Sequence, residues 1–204
     1  KMARYTGPRV RLSRRFGVPL FGPSKYLERR PYGPGQHGPR GGRRKATDFA
    51  LALAEKQKVR FYYGLMEKQF RGVYARAAAK RGVTGEIMLQ ILESRLDSVV
   101  YGLGFATTRA AARQMVAHGH VLVNGVKSSA SSHHIRVNDV VEVKDNSGSR
   151  QLATRNQELS ANREIPAWLQ LQKDSFKGSL LRLPTLEELK PMGNIQTVVE
   201  FYSR

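Results

Sequence analysis

An apolar repeat followed by a tight-turn dipeptide, between Leu92 and Asp145, constrains the fold of this chain more than any other feature. The repeat places large apolar residues three and four positions apart, as on one face of a helix: Leu92, Leu96, Val99, Val100 and Leu103. We expect Gly104 to end this helix. Further on, Asn124-Gly125 predicts a hairpin, because both residues tolerate the positive φ angles of a two-residue turn. Helices beside a small hairpin indicate an α+β module.

A second helix is predicted after Gly104, with Thr107 or Thr108 as its cap, since a threonine hydroxyl accepts a hydrogen bond from a first-turn amide. It carries Arg109 and Arg113 four positions apart, so both guanidinium groups project from one face. Like charges so placed repel by roughly 0.2–0.5 kcal/mol on an isolated helix. A polyanion lying across them is expected to remove that cost.

Short strands are predicted on both sides of the turn. The second helix ends in His118-Gly119-His120, Val121–Val123 forms a strand, and Val140 to Val143 forms a return strand. Lys127 follows closely after the turn. Cations on a helix and at a turn of so compact a unit suit a folded phosphate backbone, so we interpret the stretch as an RNA-binding module.

The net charge narrows the class of partner. Lysine and arginine number 35 against 16 acidic residues, a formal charge of +19. So large a charge repels itself in a compact state unless a partner neutralises it, and nucleic acid is the commonest such partner. A membrane is not expected as a partner, because no lipidation signal, broad apolar basic helix or run of about 18 apolar residues is present. With no cysteine and no signal peptide, we expect a cytoplasmic protein.

The first part of the chain, residues 1–46, is predicted to form a basic extended arm that is ordered mainly when bound. Its many prolines and glycines and its few long apolar side chains cannot build an independent core. A solvated disordered tail is the alternative. Apolar and aromatic side chains among the arginines favour RNA, on which rings and guanidinium planes stack: Phe16, Leu20, Phe21, Tyr26 and Tyr32.

Helical structure is predicted for residues 47–91, with Thr47 or Asp48 as the cap. An apolar stripe follows Gly64, formed by Met66, Phe70, Val73 and Ala77. Beyond the module, Ser147-Gly148 is expected to open a loop before a short helix from Leu152 to Leu159. Two strands that extend the module's sheet are then predicted, one at Leu169 to Leu171 and one at Leu181 to Leu183. Thr185 with Glu188 has the pattern of a capping box for a last short helix near Pro191.

Four runs of sequence resemble one family, the bacterial small-subunit ribosomal protein S-four. They are LESRLDSVVYGLGFATTRAAARQMVAHGHVLVNG, which resembles the RNA-binding module named after that protein, RRPYGPGQHG, EKQKVRFYYGLMEKQFRGVY and the terminal VEFYSR. Ile195 stands where relatives often have an acid. The resemblance extends over essentially the whole chain.

The resemblance implies an α+β fold in which residues 92–183, the module, are inserted into a helical domain made of residues 47–91 and 184–204. It also implies a structural protein that binds the 5′ region of 16S rRNA and nucleates assembly of the small subunit. Implied partners are ribosomal protein S-five, other small-subunit proteins and mRNA near the entry channel, with an influence on decoding accuracy. Many relatives carry a cysteine-rich zinc site before the RRPYGPGQHG loop. This chain has no cysteine there, so the metal-free form without a cofactor is expected despite His37.

The predicted RNA-binding residues form three groups. The module is expected to hold backbone phosphates through Arg95, Arg109, Arg113, His120, Asn124 and Lys127. The arm is expected to pass between RNA helices with Arg29, Arg30, Tyr32, Gln36, His37, Arg43, Arg44 and Lys45. The helical domain is expected to add Lys56, Lys58 and Arg71. If about ten phosphates are neutralised, log affinity falls with log salt at a slope of roughly −7 to −9.

Catalytic chemistry is not expected. Glu93 and Asp97 lie four apart, yet salt bridges to neighbouring arginines explain them better than acid–base work. A metal site at His118 and His120 lacks completing ligands. An RNA-modifying enzyme that uses the same module would need a further catalytic domain of roughly a hundred residues. A small stress-type RNA-binding protein with this module is the other alternative, and it would not need the helical domain or the terminal motif.

Overall fold

The fold was analysed in a computed structural model that describes residues 5–22, 24–39, 46–161, 163–172, 175–189 and 191–203. The chain divides into two compact units. Unit 1 contains the residues before Leu89 together with those after Leu189, and unit 2 is Leu89–Leu189. The finer division into arm, helical domain and inserted module stays a prediction.

The helices are α1 (Arg9–Phe16), α2 (Lys25–Arg29), α3 (Asp48–Tyr62), α4 (Glu67–Ala78), α5 (Thr84–Glu93), α6 (Leu96–Gly102), α7 (Arg109–Ala117), α8 (Ser147–Leu159) and α9 (Ile195–Ser203). The strands are β1 (Val121–Val123), β2 (Val126–Lys127), β3 (Val140–Val143), β4 (Leu169–Gln172) and β5 (Lys177–Leu180). This combination confirms the predicted α+β class.

In unit 1, α3 and α4 pack against α9, the helix formed by the end of the chain. Thr47 caps α3 by accepting a hydrogen bond from the Ala50 amide (3.3 Å), one of the two caps predicted. Phe70 is fully buried, and its ring lies 6.1 Å from that of Tyr202 on α9. Helix α9 was not predicted from the sequence.

The described part of the predicted arm contains two helices, α1 and α2, that the sequence argument did not assign. Gly17 ends α1 in the left-handed conformation (φ 68°). Two aromatic side chains fix this segment to α3, because the rings of Tyr5 and Phe16 lie 5.2 and 6.3 Å from that of Phe61. Residues 5–22 are therefore packed against the core of unit 1.

Unit 2 contains an antiparallel five-stranded sheet in the order β2-β1-β3-β5-β4. The predicted hairpin is confirmed: Val123 pairs with Val126, and the turn between them has φ 51° at Asn124 and 79° at Gly125. The return strand predicted at Val140 to Val143 is β3, which pairs with β1. The sheet thus carries the Asn124-Gly125 turn and, on β2, Lys127.

The single helix predicted from Leu92 to Leu103 is wrong, because the chain breaks between α5 and α6. A remote loop binds the backbone at the break: the Leu96 amide donates to the His133 carbonyl (2.8 Å), and the Ile135 amide donates to the Ser94 carbonyl (2.7 Å). The apolar repeat was nevertheless meaningful, since its five members are each at most 1% exposed.

The bounds of two elements also differ from the predictions. Helix α8 starts at Ser147 and not at Leu152, because the Asn146 side chain caps it by accepting from the Ser149 amide (2.8 Å). The fifth strand is Lys177–Leu180 and not Leu181 to Leu183. Gly178 allows this position, since a side chain there would collide with Leu103.

Thr185 and Glu188 make the predicted capping contact (Thr185 N to Glu188 Oε2, 3.1 Å), but a turn follows and not a helix. Within the described part of the chain, none of the helices is long and apolar enough to span a bilayer.

Candidate nucleic-acid interface

The paired arginines of unit 2 lie on α7, where the sequence predicted them. Thr108 caps α7 by accepting a hydrogen bond from the Ala111 amide (3.1 Å). Arg109 Nη2 lies 2.9 Å from Glu93 Oε1, and Arg113 Nη2 lies 2.6 Å from Asp97 Oδ2. The predicted salt bridges of the two carboxylates are therefore confirmed. They also offset the repulsion between the arginines within the protein, so that repulsion alone does not require a polyanion.

Asp97 holds a second arginine in addition to Arg113. Its two carboxylate oxygens accept from Arg95 Nε (3.0 Å) and Arg95 Nη2 (2.9 Å). Asp97 is 2% exposed and Arg95 is 5% exposed. A buried carboxylate between two guanidinium groups is favourable only because several hydrogen bonds compensate for its lost hydration. Arg95, a predicted phosphate contact, therefore presents little surface to a partner.

The break between α5 and α6 places Asp97 in this position. The Asp97 amide donates to the Ser131 carbonyl (3.2 Å), and Ser94 Oγ lies 3.2 Å from His134 Nδ1. The loop from Ser131 to Ile135 thus fixes the start of α6, and with it the carboxylate that aligns the arginines.

The hairpin places the remaining predicted residues of unit 2. His120 Nδ1 is 2.9 Å from the hydroxyl of Ser149, which is buried. Lys127 is exposed, and its side chain passes over Gly119. Lys127 is more exposed than His120, so its ammonium group is more accessible to phosphate than the His120 imidazole.

Asn124 acts within the turn. Its amide nitrogen donates to Asp139 Oδ1 (2.9 Å), and its amide oxygen accepts from the Val140 amide (2.9 Å). Burial alone would raise the pKa of the Asp139 carboxyl, but hydrogen bonds from Asn124 and the Arg136 amide hold that pKa below its ordinary value. The negative charge of Asp139 thereby fixes both the turn and the start of β3.

In unit 1, the predicted loop residues Arg29, Arg30, Tyr32, Gln36 and His37 are all exposed. One side chain outside the predicted set, Arg14 of α1, contacts the backbone of this loop. Its guanidinium donates to three loop carbonyls, those of Arg30, Tyr32 and Gly33. Arg43, Arg44 and Lys45, also predicted contacts, lie outside the described residues.

The three cations predicted from the helical domain differ in their surroundings. Lys56 is 5% exposed; its ammonium lies 2.8 Å from Glu67 Oε1 and 5.0 Å from the ring centre of Phe201. Lys58 pairs with Glu55 (2.6 Å), while Arg71 is exposed on α4. Lys56 therefore stabilises the packing of α3 with α9, whereas Arg71 is open to a partner.

A further arginine, Arg163, is not among the residues predicted from the sequence. Its Nη2 donates to the Ala106 carbonyl (3.0 Å), and its guanidinium carbon lies 4.2 Å from the ring centre of Tyr101. The guanidinium carbon of Arg109 lies 4.6 Å from the same ring. Tyr101 therefore brings together two cations 54 positions apart (163 − 109). No local pattern in the sequence signals this contact.

Metal-binding side chains do not converge within the described parts of the chain, where no group of three or more histidine, aspartate and glutamate residues could hold an ion. The rings of His118 and His120 lie 6.2 Å apart. The interface is thus a set of arginines and lysines fixed by carboxylates, carbonyls and rings, which is suited to binding an anionic backbone.

Two family descriptions match this chain. "Ribosomal protein S4/S9 N-terminal domain" matches residues 4–93, and "S4 domain" matches residues 94–141. With the helix-and-sheet architecture and the fixed arginines of unit 2, these matches define the class, a ribosomal-type protein that contains an S4 domain.

Relatives match along the entire length. The small ribosomal subunit protein uS4 of Akkermansia muciniphila is 55% identical over 203 residues, and that of Opitutus terrae is 54% identical over 203. The protein of the same name from Thermus thermophilus is 47% identical over 210 residues, and in all three cases 100% of both chains is covered. The chain belongs to the uS4 family of small ribosomal subunit proteins.

Family membership decides between the functions considered above. The family is structural and not enzymatic, which confirms the prediction that the chain is not an enzyme. The small stress-type protein would need only the module, whereas these relatives also match throughout unit 1.

Proposed function

We propose that this protein is a structural, rRNA-binding component of the small ribosomal subunit, acting on the ribosome in the cytoplasm, with rRNA and other ribosomal proteins as its partners. The observation that carries the proposal is the pair of arginines on α7 of the S4 domain, which buried and half-buried carboxylates hold side by side. A formal charge of +19 supports a polyanionic partner.

The proposal extends to a particular RNA. We propose binding to the 5′ region of 16S rRNA early in assembly, so that the protein nucleates the small subunit. Contact with ribosomal protein S-five, a place beside the mRNA entry channel and an influence on decoding accuracy belong to the same proposal. Its support is the resemblance of four separate sequence runs and the full-length match to relatives named uS4.

In unit 2 the proposed contacts are the exposed Lys127 and the surface parts of two half-buried arginines, whose side chains are 12% exposed (Arg109) and 16% exposed (Arg113). Arg109, Arg113 and Lys127 bind backbone phosphates, with His120 and Asn124 shaping the surface between them. Arg95 acts through Asp97 and not by reaching the RNA itself. In unit 1 the contacts are the exposed residues of the loop and of α4: Arg29, Arg30, Tyr32, Gln36, His37 and Arg71.

A salt-dependent binding titration tests this function. The wild-type protein and an Arg109→Ala/Arg113→Ala variant are titrated against a transcript of the 16S 5′ domain and against an unrelated structured RNA. The wild type is expected to prefer the 5′ domain, with a log–log salt slope of roughly −7 to −9. The variant is expected to bind at least about 30-fold more weakly, since each arginine–phosphate contact contributes on the order of 1–2 kcal/mol.

The matched control is Arg150→Ala/Arg155→Ala, which removes the same charge from exposed positions on α8. It is expected to lose less than about threefold in affinity, the effect of net charge alone. Equal affinity of the wild type for the two RNAs would contradict the proposed function. Equal losses in the two double variants would reject the α7 arginines as its site.

A further inference from the structure

Arg14 is a cation of the basic N-terminal region, and on charge alone it would be counted as an RNA contact. In the structure its donors point at the backbone carbonyls of a loop. Nε is 3.3 Å from the Arg30 carbonyl and 3.2 Å from that of Tyr32, and Nη2 is 3.0 Å from the Gly33 carbonyl. Its guanidinium carbon lies 5.0 Å from the ring centre of Tyr32. One side chain thus binds the backbone of the loop at three places.

The helix that carries Arg14 is itself fixed. Phe16, two positions further along α1, packs against Phe61, which is 9% exposed, and Tyr5 packs against the same ring. Leu20 beyond the helix is 2% exposed. The guanidinium therefore joins the loop to a segment that is already part of the core of unit 1.

The loop closes on itself around the same carbonyls. The Gly38 amide donates to the Gly35 carbonyl (3.1 Å), and Gly35 has a φ of 90°. A side chain at position 38 would collide with the carbonyl of Gly33, the group that Arg14 Nη2 binds. Backbone closure at Gly38 and the Arg14 hydrogen bonds thus select one conformation of residues 30–38.

We propose that Arg14 is a positioning residue, which forms the loop of residues 29–38 in its RNA-binding conformation before RNA is present. This inference rests on the proposed function, because it assigns Arg14 a part in that binding without contact to RNA. The exposed side chains of the loop, Arg29, Arg30, Gln36 and His37, make the contacts. A loop that is already ordered loses less conformational entropy when it binds.

Replacing Arg14 with lysine distinguishes a contact with RNA from a role in positioning the loop. An ammonium group at position 14 keeps the charge and could still bind a phosphate as a point charge. It cannot reproduce the planar fork that reaches three carbonyls and stacks on Tyr32. Arg14→Lys should therefore be nearly neutral if Arg14 contacts RNA, and harmful if Arg14 positions the loop.

The test compares Arg14→Lys with Arg11→Lys, an exposed position on the same helix, and with Gly38→Ala, which disturbs the loop independently. Full-length proteins are titrated against the 16S 5′-domain transcript, and hydrogen exchange of residues 29–39 is measured in the free proteins by mass spectrometry. Arg14→Lys and Gly38→Ala are expected to bind about tenfold more weakly with an unchanged salt slope, because loop ordering is added to the cost of binding. Both are expected to exchange faster in this segment, with unchanged thermal midpoints.

Arg11→Lys should match the wild type in both measurements. If Arg14→Lys matches the wild type in affinity, or if it loses affinity while its loop exchanges no faster, the positioning role is overturned. A wild-type protein that binds the 16S 5′-domain transcript and an unrelated structured RNA equally would overturn the proposed function instead. The hydrogen exchange of the loop distinguishes the two failures.

Discussion

Single residues in unit 2 show how a basic protein controls its own cations. Asp97 is 2% exposed and accepts hydrogen bonds from Arg95 and Arg113 at the same time. The α7 surface therefore depends on an acidic residue that no partner needs to touch. The sequence predicted salt bridges between Asp97 and neighbouring arginines, and Arg95 is two positions away. Only the break between α5 and α6 explains why the carboxylate faces inward.

The substitution Asp97→Asn is predicted to destabilise the protein by about 3 kcal/mol or more, because it leaves the buried Arg95 guanidinium without a counter-charge. Urea unfolding followed by circular dichroism measures the loss. Glu93→Gln is the matched control; it removes the charge opposite Arg109, whose side chain is more exposed than that of Arg95, and a smaller loss is expected. An Asp97→Asn protein as stable as the wild type would show that the pair contributes nothing to folding.

At the scale of elements, local patterns predicted what local chemistry determines. The Thr108 cap and the Asn124-Gly125 hairpin were correct, because caps and tight turns depend on residues within a few positions. The break after Glu93 and the helix α9 were missed. The first depends on a loop about 40 residues away, and the second is stabilised by its packing on α3.

The same limit applies to the candidate site. Lys56 has the pattern of a surface cation on a helix, and it was predicted to bind RNA. Its burial is produced by Glu67, Phe201 and Tyr202, of which the last two are more than 140 positions away in the sequence. Charge can be read from a sequence, but its exposure depends on tertiary packing.

Because Glu67 binds Tyr202 of α9, we predict that the free energy of unfolding depends on pH. Burial alone would raise the pKa of the Glu67 carboxyl, but hydrogen bonds from Lys56 and the Tyr202 hydroxyl hold it below the ordinary value of 4.5. A pKa that is lower in the folded state gives stability that is present above about pH 4.5 and is lost as pH falls through the folded value. Unfolding free energies between pH 6 and pH 3, roughly, should show this loss.

Glu67→Gln and Tyr202→Phe are each expected to reduce the slope of that loss, since the first removes the titrating group and the second removes one of its donors. A slope equal to that of the wild type in both variants would mean that other carboxylates govern acid unfolding. On the alkaline side, burial and the neighbouring Glu67 raise the pKa of the Tyr202 hydroxyl above its ordinary value. Its contribution to stability is therefore fully present below about pH 10 and is lost as pH rises from there through the raised pKa of the folded state.

At the scale of the whole molecule, a formal charge of +19 dominates the free protein. The ion pairs described above offset it only locally, since lysines and arginines outnumber acidic residues by 35 to 16. Screening should therefore stabilise the free chain, and RNA should stabilise it further through binding to the folded state.

Raising KCl from about 0.1 M to about 1 M shortens the screening length from about 10 Å to about 3 Å. The thermal midpoint is predicted to rise by at least about 2–4 °C, the change that about 1 kcal/mol produces in a chain of this size. The Arg150→Ala/Arg155→Ala variant, with a lower net charge, should gain less from the same salt. A midpoint that falls with salt would show that attractive ion pairs outweigh the repulsion.

Unit 1 is made of two segments of the sequence, one before and one after unit 2, and this has a consequence for synthesis. The ribosome that makes this chain releases α3 and α4 early, whereas Tyr202, the hydrogen-bond partner of Glu67, follows 135 residues later. During that interval Phe70, fully buried in the finished protein, is without the aromatic ring of α9 that packs against it. Every copy therefore passes through a nascent state in which the first unit is incomplete while all the residues of the second have already been made.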